Sequence, residues 1–204
     1  MKKSQLIYQY IREQGAVSKQ DIVIGLGLSL PTITQNLNNL AELGLIDTSK
    51  KISNTGGRNA TAYSYIEKAR YAVGLYLNRH HINCVAVDLS GNVISLIRVR
   101  ENFDLNDDNY LRKIGETVEE VKKDTGLSDD RFLGVGIAVQ GLISDDGERV
   151  TYGLTLNFTG VTRADIAKYI PYHNRLFHDS AAAGYAEVWD RNDLDAAFYI
   201  RISN

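Results

Sequence analysis

Four polar, uncharged side chains stand at helical spacing just after Pro31: Thr32, Gln35, Asn38 and Asn39. On a helix of 3.6 residues per turn they lie opposite the apolar stripe Ile33, Leu37 and Leu40. Short amides and hydroxyls read base edges in the major groove through paired donors and acceptors. An ordinary solvated face is the alternative, but such a face is expected to carry Lys and Glu, and this one carries neither. The pattern therefore favours a helix that reads DNA.

A second candidate for DNA contact is Arg58, which follows Gly56 and Gly57 in a polar segment at residues 50–59. Glycines remove side-chain bulk, so an arginine beside them can approach a narrow minor groove closely. A hairpin tip with an incidental charge is the alternative interpretation.

Three further signals predict no chemistry. His80 and His81 are adjacent on a strand-like segment, so their side chains point to opposite faces and do not easily share a metal. Gly25 and Gly27 lack the preceding strand of a nucleotide-binding loop. Cys84 lies within an apolar strand, where a core position is favoured over a nucleophile. We expect no catalytic residue, no metal site and no cofactor.

The elements that position the first candidates occupy residues 1–68. Apolar periodicity and capping signals predict helices at 3–14, 19–26 and 30–43, with Ser18 and Asp21 as a capping pair and Ser29 as a further cap. Alternation predicts strands at 45–48 and 62–66 around the loop that holds Arg58. Three helices followed by a two-stranded ribbon form a winged helix-turn-helix.

Residues 69–204 read as a separate α/β domain with a mixed sheet. Strand-like runs lie at 71–77, 82–88, 93–100, 133–139, 175–178 and 196–202. Helical patterns lie at 106–123, 163–169 and 181–189. The run at 133–139 is almost wholly apolar, which predicts a strand covered on both faces.

Composition agrees with two globular domains. The chain has 204 residues, of which 44% are hydrophobic and 24% charged. No apolar run is long enough for a membrane span, no signal peptide is apparent, and one cysteine excludes an intrachain disulfide, so a cytoplasmic protein without membrane contact is expected. Residues 1–68 carry eight Lys or Arg against five Asp or Glu, whereas residues 69–204 carry fifteen against twenty. The basic front end suggests a polyanionic partner.

Four segments together resemble the ROK family, which unites repressors, open reading frames and sugar kinases. They are LPTIT at 30–34, TGGR at 55–58, GVGIAVQG at 134–141 and HDSAAA at 178–183. The resemblance is to the winged-helix repressors of the xylose and N-acetylglucosamine type. It implies an actin-like ATPase architecture after residue 68, of which this chain supplies the first lobe and lacks the second.

The resemblance also implies a sugar pocket. Asp179 matches the family's catalytic carboxylate, which in a repressor can simply accept hydrogen bonds from a sugar hydroxyl. His178 replaces the usual Asn beside it, Gln140 and Gly141 stand where a Pro-Gly turn is usual, and Asn157 corresponds to a pocket-lining amide. Asp179 as a helix cap and Asn157 as a turn residue are the alternatives.

Three functions compete. The first is a sugar-responsive transcriptional regulator, a repressor, that binds a double-stranded operator as a homodimer or higher homo-oligomer. The second is a ROK sugar kinase with an accessory DNA-binding domain, but the stretch LYLNRH at 75–80 lacks the Asp and glycines with which family kinases hold phosphates. The third is a DNA-binding protein whose second domain is only a dimerisation scaffold.

Overall fold

The computed structural model of the chain describes residues 2–52 and 60–188 and divides the chain into two units, Met1–Arg70 and Tyr71–Asn204. Each unit encloses its own hydrophobic core. The division falls two residues after the predicted boundary between residues 68 and 69.

Three helices begin the first unit: α1 (Lys3–Gln14), α2 (Lys19–Leu26) and α3 (Leu30–Glu42). Gly27 ends α2 with φ at 61°, a left-handed conformation that glycine adopts without steric strain. At the start of α2 the Ser18 hydroxyl accepts from the Asp21 amide at 3.2 Å, and the Asp21 carboxylate accepts from the Ser18 amide at 2.8 Å. The predicted helices and capping pair are confirmed.

The third helix is amphipathic as predicted, with a different first turn. Ile33, Leu37 and Leu40 are buried. The predicted capping role of Ser29 is wrong, because its hydroxyl caps no backbone amide and lies 2.9 Å from the Thr32 hydroxyl instead. Pro31 stands in that turn and has no N–H to offer, which removes one of the amides a cap would satisfy.

Four short strands complete the first unit: β1 (Ile46–Asp47), β2 (Lys51–Ile52), β3 (Ala60–Thr61) and β4 (Ser64–Tyr65). The pairs β1–β4 and β2–β3 are antiparallel, and Val17 forms a further antiparallel bridge with Tyr63. Pairing thus extends into the segment expected to be loop. The order of elements is that of a winged helix-turn-helix. Arg58 lies outside the described residues.

The strands of the second unit are β5 (Tyr71–Leu77), β6 (His81–Asp88), β7 (Val93–Arg100), β8 (Phe132–Val139), β9 (Leu142–Ile143), β10 (Val150–Tyr152) and β11 (Asn174–His178). Five of them form one mixed sheet in the order β11-β8-β5-β6-β7. The β5–β6 and β6–β7 pairs are antiparallel, and β8 runs parallel to both β5 and β11. The mixed sheet is confirmed, while the β9–β10 hairpin was not predicted.

A β-bulge interrupts the pairing of β8 with β5. Between the pairs Tyr71–Phe132 and Val73–Val135, β8 advances three residues while β5 advances two. Gly134 sits in the bulge with φ at 130°, and a Cβ there would lie 2.5 Å from the carbonyl oxygen of His173. Only glycine therefore fits this position without displacing its neighbour.

Beyond the bulge, the two faces of β8 differ. Val135, Ile137 and Val139 are buried in the core. Gly136 and Ala138 alternate with them and line an apolar cavity of about 530 Å³ on the other face. Within the described residues, the predicted cover is thus close on the first face, whereas the second face borders a cavity whose wall also includes Phe177, Ala182 and Tyr185.

The helices of this unit are α4 (Asp108–Asp124), α5 (Arg163–Ile166) and α6 (Asp179–Val188), and a 3₁₀ turn occupies Asp129–Arg131. A further 3₁₀ turn, Glu67–Ala69, lies at the end of the first unit. The predicted buried face of α4 is confirmed: Tyr110, Leu111, Ile114, Val118 and Val121. Helix α5 is shorter than predicted, since Ala167 leaves the helical conformation. The predicted strand at 196–202 lies outside the described residues.

Candidate functional site

The polar face of α3 is open to solvent. Gln35, Asn38 and Asn39 are exposed, while the apolar stripe on the opposite side is buried in the core of the first unit. Three amide side chains, each with a donor and an acceptor, thus project from one side of a helix that the core holds by its other side. This arrangement can form bidentate hydrogen bonds to base edges.

Thr32 differs from the other three predicted DNA-reading residues. It is half-buried, its hydroxyl pairs with that of Ser29, and its carbonyl accepts from Nδ2 of Asn36 at 2.8 Å. Sequence reasoning did not single out Asn36, although its position four residues after Thr32 is the usual spacing for such a contact. The hydroxyl pair fixes Thr32 at the edge of the polar face.

Lysines supply positive charge to the first unit. Lys2, Lys3, Lys50 and Lys51 are exposed, and Nζ of Lys51 donates to Oγ1 of Thr61 across the β2–β3 pair at 2.8 Å. Charges of this kind bind phosphates and carry no base preference of their own.

A cavity of about 370 Å³ opens in the second unit at the carboxyl ends of β8 and β11, and we call it the polar cavity. Its wall comprises Gln140, Gly141, Leu142, Tyr152, Leu154, Thr155, His178, Asp179 and Ser180. The structure thus brings together four of the five residues predicted to bind an effector: Gln140, Gly141, His178 and Asp179. The volume is within the range of small-molecule sites.

Parallel pairing explains why these distant residues meet. His178, the last residue of β11, pairs with Val139, the last residue of β8. The residues that follow both strands therefore emerge at the same edge of the sheet, where ligands of α/β folds usually bind. Gly141 is closely packed in the turn after β8: a Cβ there would meet Val150 at 2.9 Å and the Tyr152 carbonyl oxygen at 3.0 Å.

Asp179 is the anionic group of the polar cavity. It is 9% exposed and begins α6, and its Oδ1 accepts from the amide of Ser180 at 2.8 Å. Nδ1 of His178 lies 3.7 Å from the same oxygen. The carboxylate thus has the local contact expected of a helix-start residue while also facing the cavity, so both interpretations of Asp179 fit its geometry.

Two side-chain contacts at the cavity were not predicted. Nε2 of Gln140 donates to the Tyr76 hydroxyl at 3.1 Å, and Nη2 of Arg79 donates to the Thr155 carbonyl at 2.7 Å. Both connect the end of β5 and its following turn to the cavity wall. Their partners are more than 60 residues apart, and no local spacing in the sequence indicates such contacts.

Asn157 is not brought into the polar cavity. It is exposed, has φ at 53°, and donates its amide to the Leu154 carbonyl at 3.2 Å. Asparagine tolerates this left-handed conformation better than most residues, which suits a turn position. Its role as an effector ligand stays a prediction.

The side chains from which no chemistry was expected lie elsewhere. Burial raises the pKa of the Cys84 thiol to about 12. Nδ1 of His80 lies 3.2 Å from Oδ1 of Asn102, whereas His81 faces Arg98, and its pKa is lowered by desolvation and by that arginine. Within residues 2–52 and 60–188, no group of His, Cys, Asp and Glu is arranged to hold a metal, and no helix is long and apolar enough to cross a membrane.

No protein-family model matches the chain. Among curated proteins, it is 23% identical over 167 residues to the DNA-binding transcriptional dual regulator NagC of Escherichia coli K12. The N-acetylglucosamine repressor of Shigella flexneri matches with the same identity and length. Each alignment covers 73% of this chain and 36% of the relative, so the chain spans about a third of the length of these proteins.

A solved ROK family transcriptional regulator, described as a homologue of the Escherichia coli MLC protein, aligns with a TM-score of 0.68 at 19% identity. The alignment covers 92% of this chain and 48% of that structure. A ROK family glucokinase from Streptomyces griseus aligns at 15% identity with a TM-score of 0.46 over 58% of this chain and 36% of its own. The chain is thus similar in sequence to these regulators and has the fold of the ROK family transcriptional regulator.

Proposed function

From this homology and the geometry of both units, we propose that the protein is a DNA-binding transcriptional regulator, a repressor, that responds to a sugar or sugar derivative. The observation that carries the proposal is the exposed amide face of α3, with Gln35, Asn38 and Asn39 opposite a buried stripe. Its targets are a double-stranded operator and a sugar or sugar derivative. We place its action in the cytoplasm.

On DNA, α3 lies in the major groove and its amides contact base edges, while the exposed lysines of the first unit contact phosphates. Arg58 enters the adjacent minor groove. Two copies bind two half-sites one helical turn apart, because a single helix reads too few base pairs for a unique operator. The functional form is therefore a homodimer or a higher homo-oligomer.

In the second unit, the sugar binds the polar cavity. Asp179 accepts hydrogen bonds from sugar hydroxyls, His178 and Gln140 contribute further polar contacts, and Gly141 lets the turn after β8 approach the ligand closely. Binding shifts DNA affinity only if the sugar prefers one of two arrangements of the protein.

A ROK kinase with a DNA-binding domain is the second candidate, and the turn after β5 argues against it. Oδ1 of Asn78 accepts from the amides of His80 and His81 at 3.0 and 2.9 Å, so the side chain of Asn78 closes this turn. Phosphate-binding loops instead direct backbone amides at the ligand and use glycine to let it approach. We propose that the chain does not transfer phosphoryl groups.

The test is selection of duplexes from a random library, followed by anisotropy titrations with and without sugars. Sequence-specific binding that weakens or strengthens with one sugar supports the proposal. Binding with equal affinity to all duplexes contradicts base reading by α3. Specific binding that no sugar changes, together with no heat of sugar binding, indicates that the second unit is a dimerisation scaffold. Sugar-dependent conversion of ATP to ADP, with formation of an equal amount of sugar phosphate, identifies a kinase.

A further inference from the structure

The apolar cavity on the second face of the sheet has no part in the proposed function. Its floor follows one row of paired residues across four strands: Gly136 of β8, Gly74 of β5, Val85 of β6 and Leu96 of β7. Two of these four positions carry no side chain, so the floor is low along the middle of the row. Leu96 stands at the far end and is 66% exposed.

The cavity has room for a helix beside α6. Helix α6 packs on β11 and β8, and its residues Ala182 and Tyr185 form one wall of the cavity. Neighbouring strands are about 4.8 Å apart, so the row from β8 to β7 is about 14 Å wide. An α-helix with its side chains is about 10–12 Å across. On the first face α4 packs on β5, β6 and β7, and sheets of this class are usually covered by helices on both faces.

The rim of the cavity is basic at the end of β7. Arg98 pairs with Asn83, which lines the cavity, and Arg100 pairs with His81. Both arginines are exposed, and within the part of the chain that the structure describes neither forms an ion pair with a carboxylate. Desolvation, and then the charges of these two arginines, lower the pKa of His81. An apolar floor with a cationic rim is complementary to a partner that carries acidic groups beside apolar ones.

We propose that the apolar cavity is a docking site for an amphipathic helix of another protein. The apolar stripe of that helix covers Gly74, Val85 and Leu96, and its acidic residues face Arg98 and Arg100. The inference goes beyond the proposed function, and its test needs neither DNA nor a sugar.

The experiment is a fluorescence anisotropy titration of two labelled synthetic helices of about 18 residues with the intact protein. Both helices carry leucines at i, i+3, i+4 and i+7, and the flanking positions are glutamates in one and lysines in the other. We expect the acidic helix to bind about tenfold more tightly than the basic one. Leu96→Glu should abolish binding of the acidic helix, and Arg98→Glu should remove or reverse the preference for it. Ala138→Leu, which adds bulk to the floor without charge, should weaken binding of both helices.

Leu133→Glu and Lys123→Glu are the matched controls. Leu133 is exposed on β8 and Lys123 is exposed on α4, and neither residue lines the apolar cavity. Both variants should bind the acidic helix like the parent, and circular dichroism should show that all variants are folded.

Equal affinities of the parent for the two helices, or equal losses in Leu96→Glu and Leu133→Glu, overturn the inference. A parent dimer that dissociates in the Leu96→Glu variant, as measured by sedimentation, also overturns it, because the occupant is then a second copy of the chain. Binding of decanoate without binding of either helix would identify a small anionic amphiphile as the occupant instead.

Discussion

The backbone amide of Ser180 donates to Oδ1 of Asp179 at 2.8 Å, and so holds a nearly buried carboxylate at the wall of the polar cavity. A charged acceptor that is fixed in direction forms stronger and more selective hydrogen bonds than a mobile one. The same contact orders the start of α6. The effector role and the structural role of Asp179 can therefore be separated only by a substitution that keeps the shape.

Asp179→Asn is that substitution. The amide oxygen of Asn still accepts from Ser180, but the negative charge is removed, so sugar affinity should fall by about 1 kcal/mol, roughly fivefold. DNA binding without sugar should be unchanged. Anisotropy titrations of operator DNA over a range of sugar concentrations measure both effects. Asp145→Asn, an exposed substitution outside the cavity, should respond like the parent.

If the Asn variant of Asp179 keeps the sugar response of the parent, or loses DNA binding altogether, the carboxylate is structural and the effector assignment is wrong.

Base reading by α3 gives a second prediction. Gln35→Ala or Asn38→Ala should relax base preference at particular operator positions, at about 1–3 kcal/mol for each lost bidentate contact. The salt dependence of binding should stay the same, because neither residue contacts phosphates in this arrangement. Gln14→Ala, at the end of α1, should leave the preference unchanged. A uniform loss over all duplexes would show that the amide face is not in the groove.

The helices of the first unit and the sheet of the second could be predicted because each carries a local signal. Ser18 and Asp21 signal a helix start within four residues. The alternation in residues 71–100 signals strands, and each of these pairs with the next strand along the chain. Ser29 was misassigned because a capping signal is ambiguous when Pro31 takes away an amide and Thr32 offers a competing hydroxyl.

Acid stability gives a third prediction, from Asp108 at the start of α4. The Lys168 ammonium donates to the Asp108 carboxylate at 2.6 Å, and the Tyr169 hydroxyl donates to it at 2.8 Å. These two bonds lower the pKa of Asp108 from 3.8 to about 2. A carboxylate with a lowered pKa stabilises the fold above its ordinary pKa, and this contribution is lost as the pH falls from about 4 to about 2.

Urea unfolding followed by circular dichroism at several pH values between 7 and 2 measures this effect. Asp108→Asn should be less stable than the parent at pH 7, and the difference should shrink between pH 4 and pH 2. Asp124→Asn, an exposed residue at the other end of the same helix, should keep the parent's pH dependence. A constant difference at every pH would mean that the charge of Asp108 does not contribute.

The fourth prediction uses Cys84, the chain's single cysteine. Its side chain is fully buried, and burial raises the pKa of the thiol to about 12. A thiol reagent at pH 8 should therefore modify the native protein very slowly and the urea-unfolded protein at least 100-fold faster. The difference is followed by mass spectrometry over time.

Gly115→Ala provides the positive control for Cys84. A Cβ at Gly115 would lie 2.5 Å from the carbonyl oxygen of Tyr169. Local unfolding should therefore be more frequent in this variant, and its Cys84 thiol should react faster. Rapid modification of the native parent would contradict the buried position of the thiol.

The candidate site was only partly predictable. Gln140, Gly141, His178 and Asp179 came from segments that resemble a known family, and parallel pairing brings them together. Tyr76 and Arg79 were missed because their partners, Gln140 and Thr155, are set by which strands pair and in what register. The prediction that Asn157 binds the effector came from the same resemblance. The chain turns at Leu154, however, and Asn157 does not line the polar cavity.

The bulge at Gly134 determines which face of the sheet each later side chain of β8 occupies. Side chains alternate along a strand, so one extra residue exchanges the faces of all later positions. Without it, Gly136 and Ala138 would point into the core and Val135, Ile137 and Val139 would point away from it. The alternation of small and large residues in GVGIAVQG therefore matches the two faces of the sheet only because the bulge adds one residue before Val135.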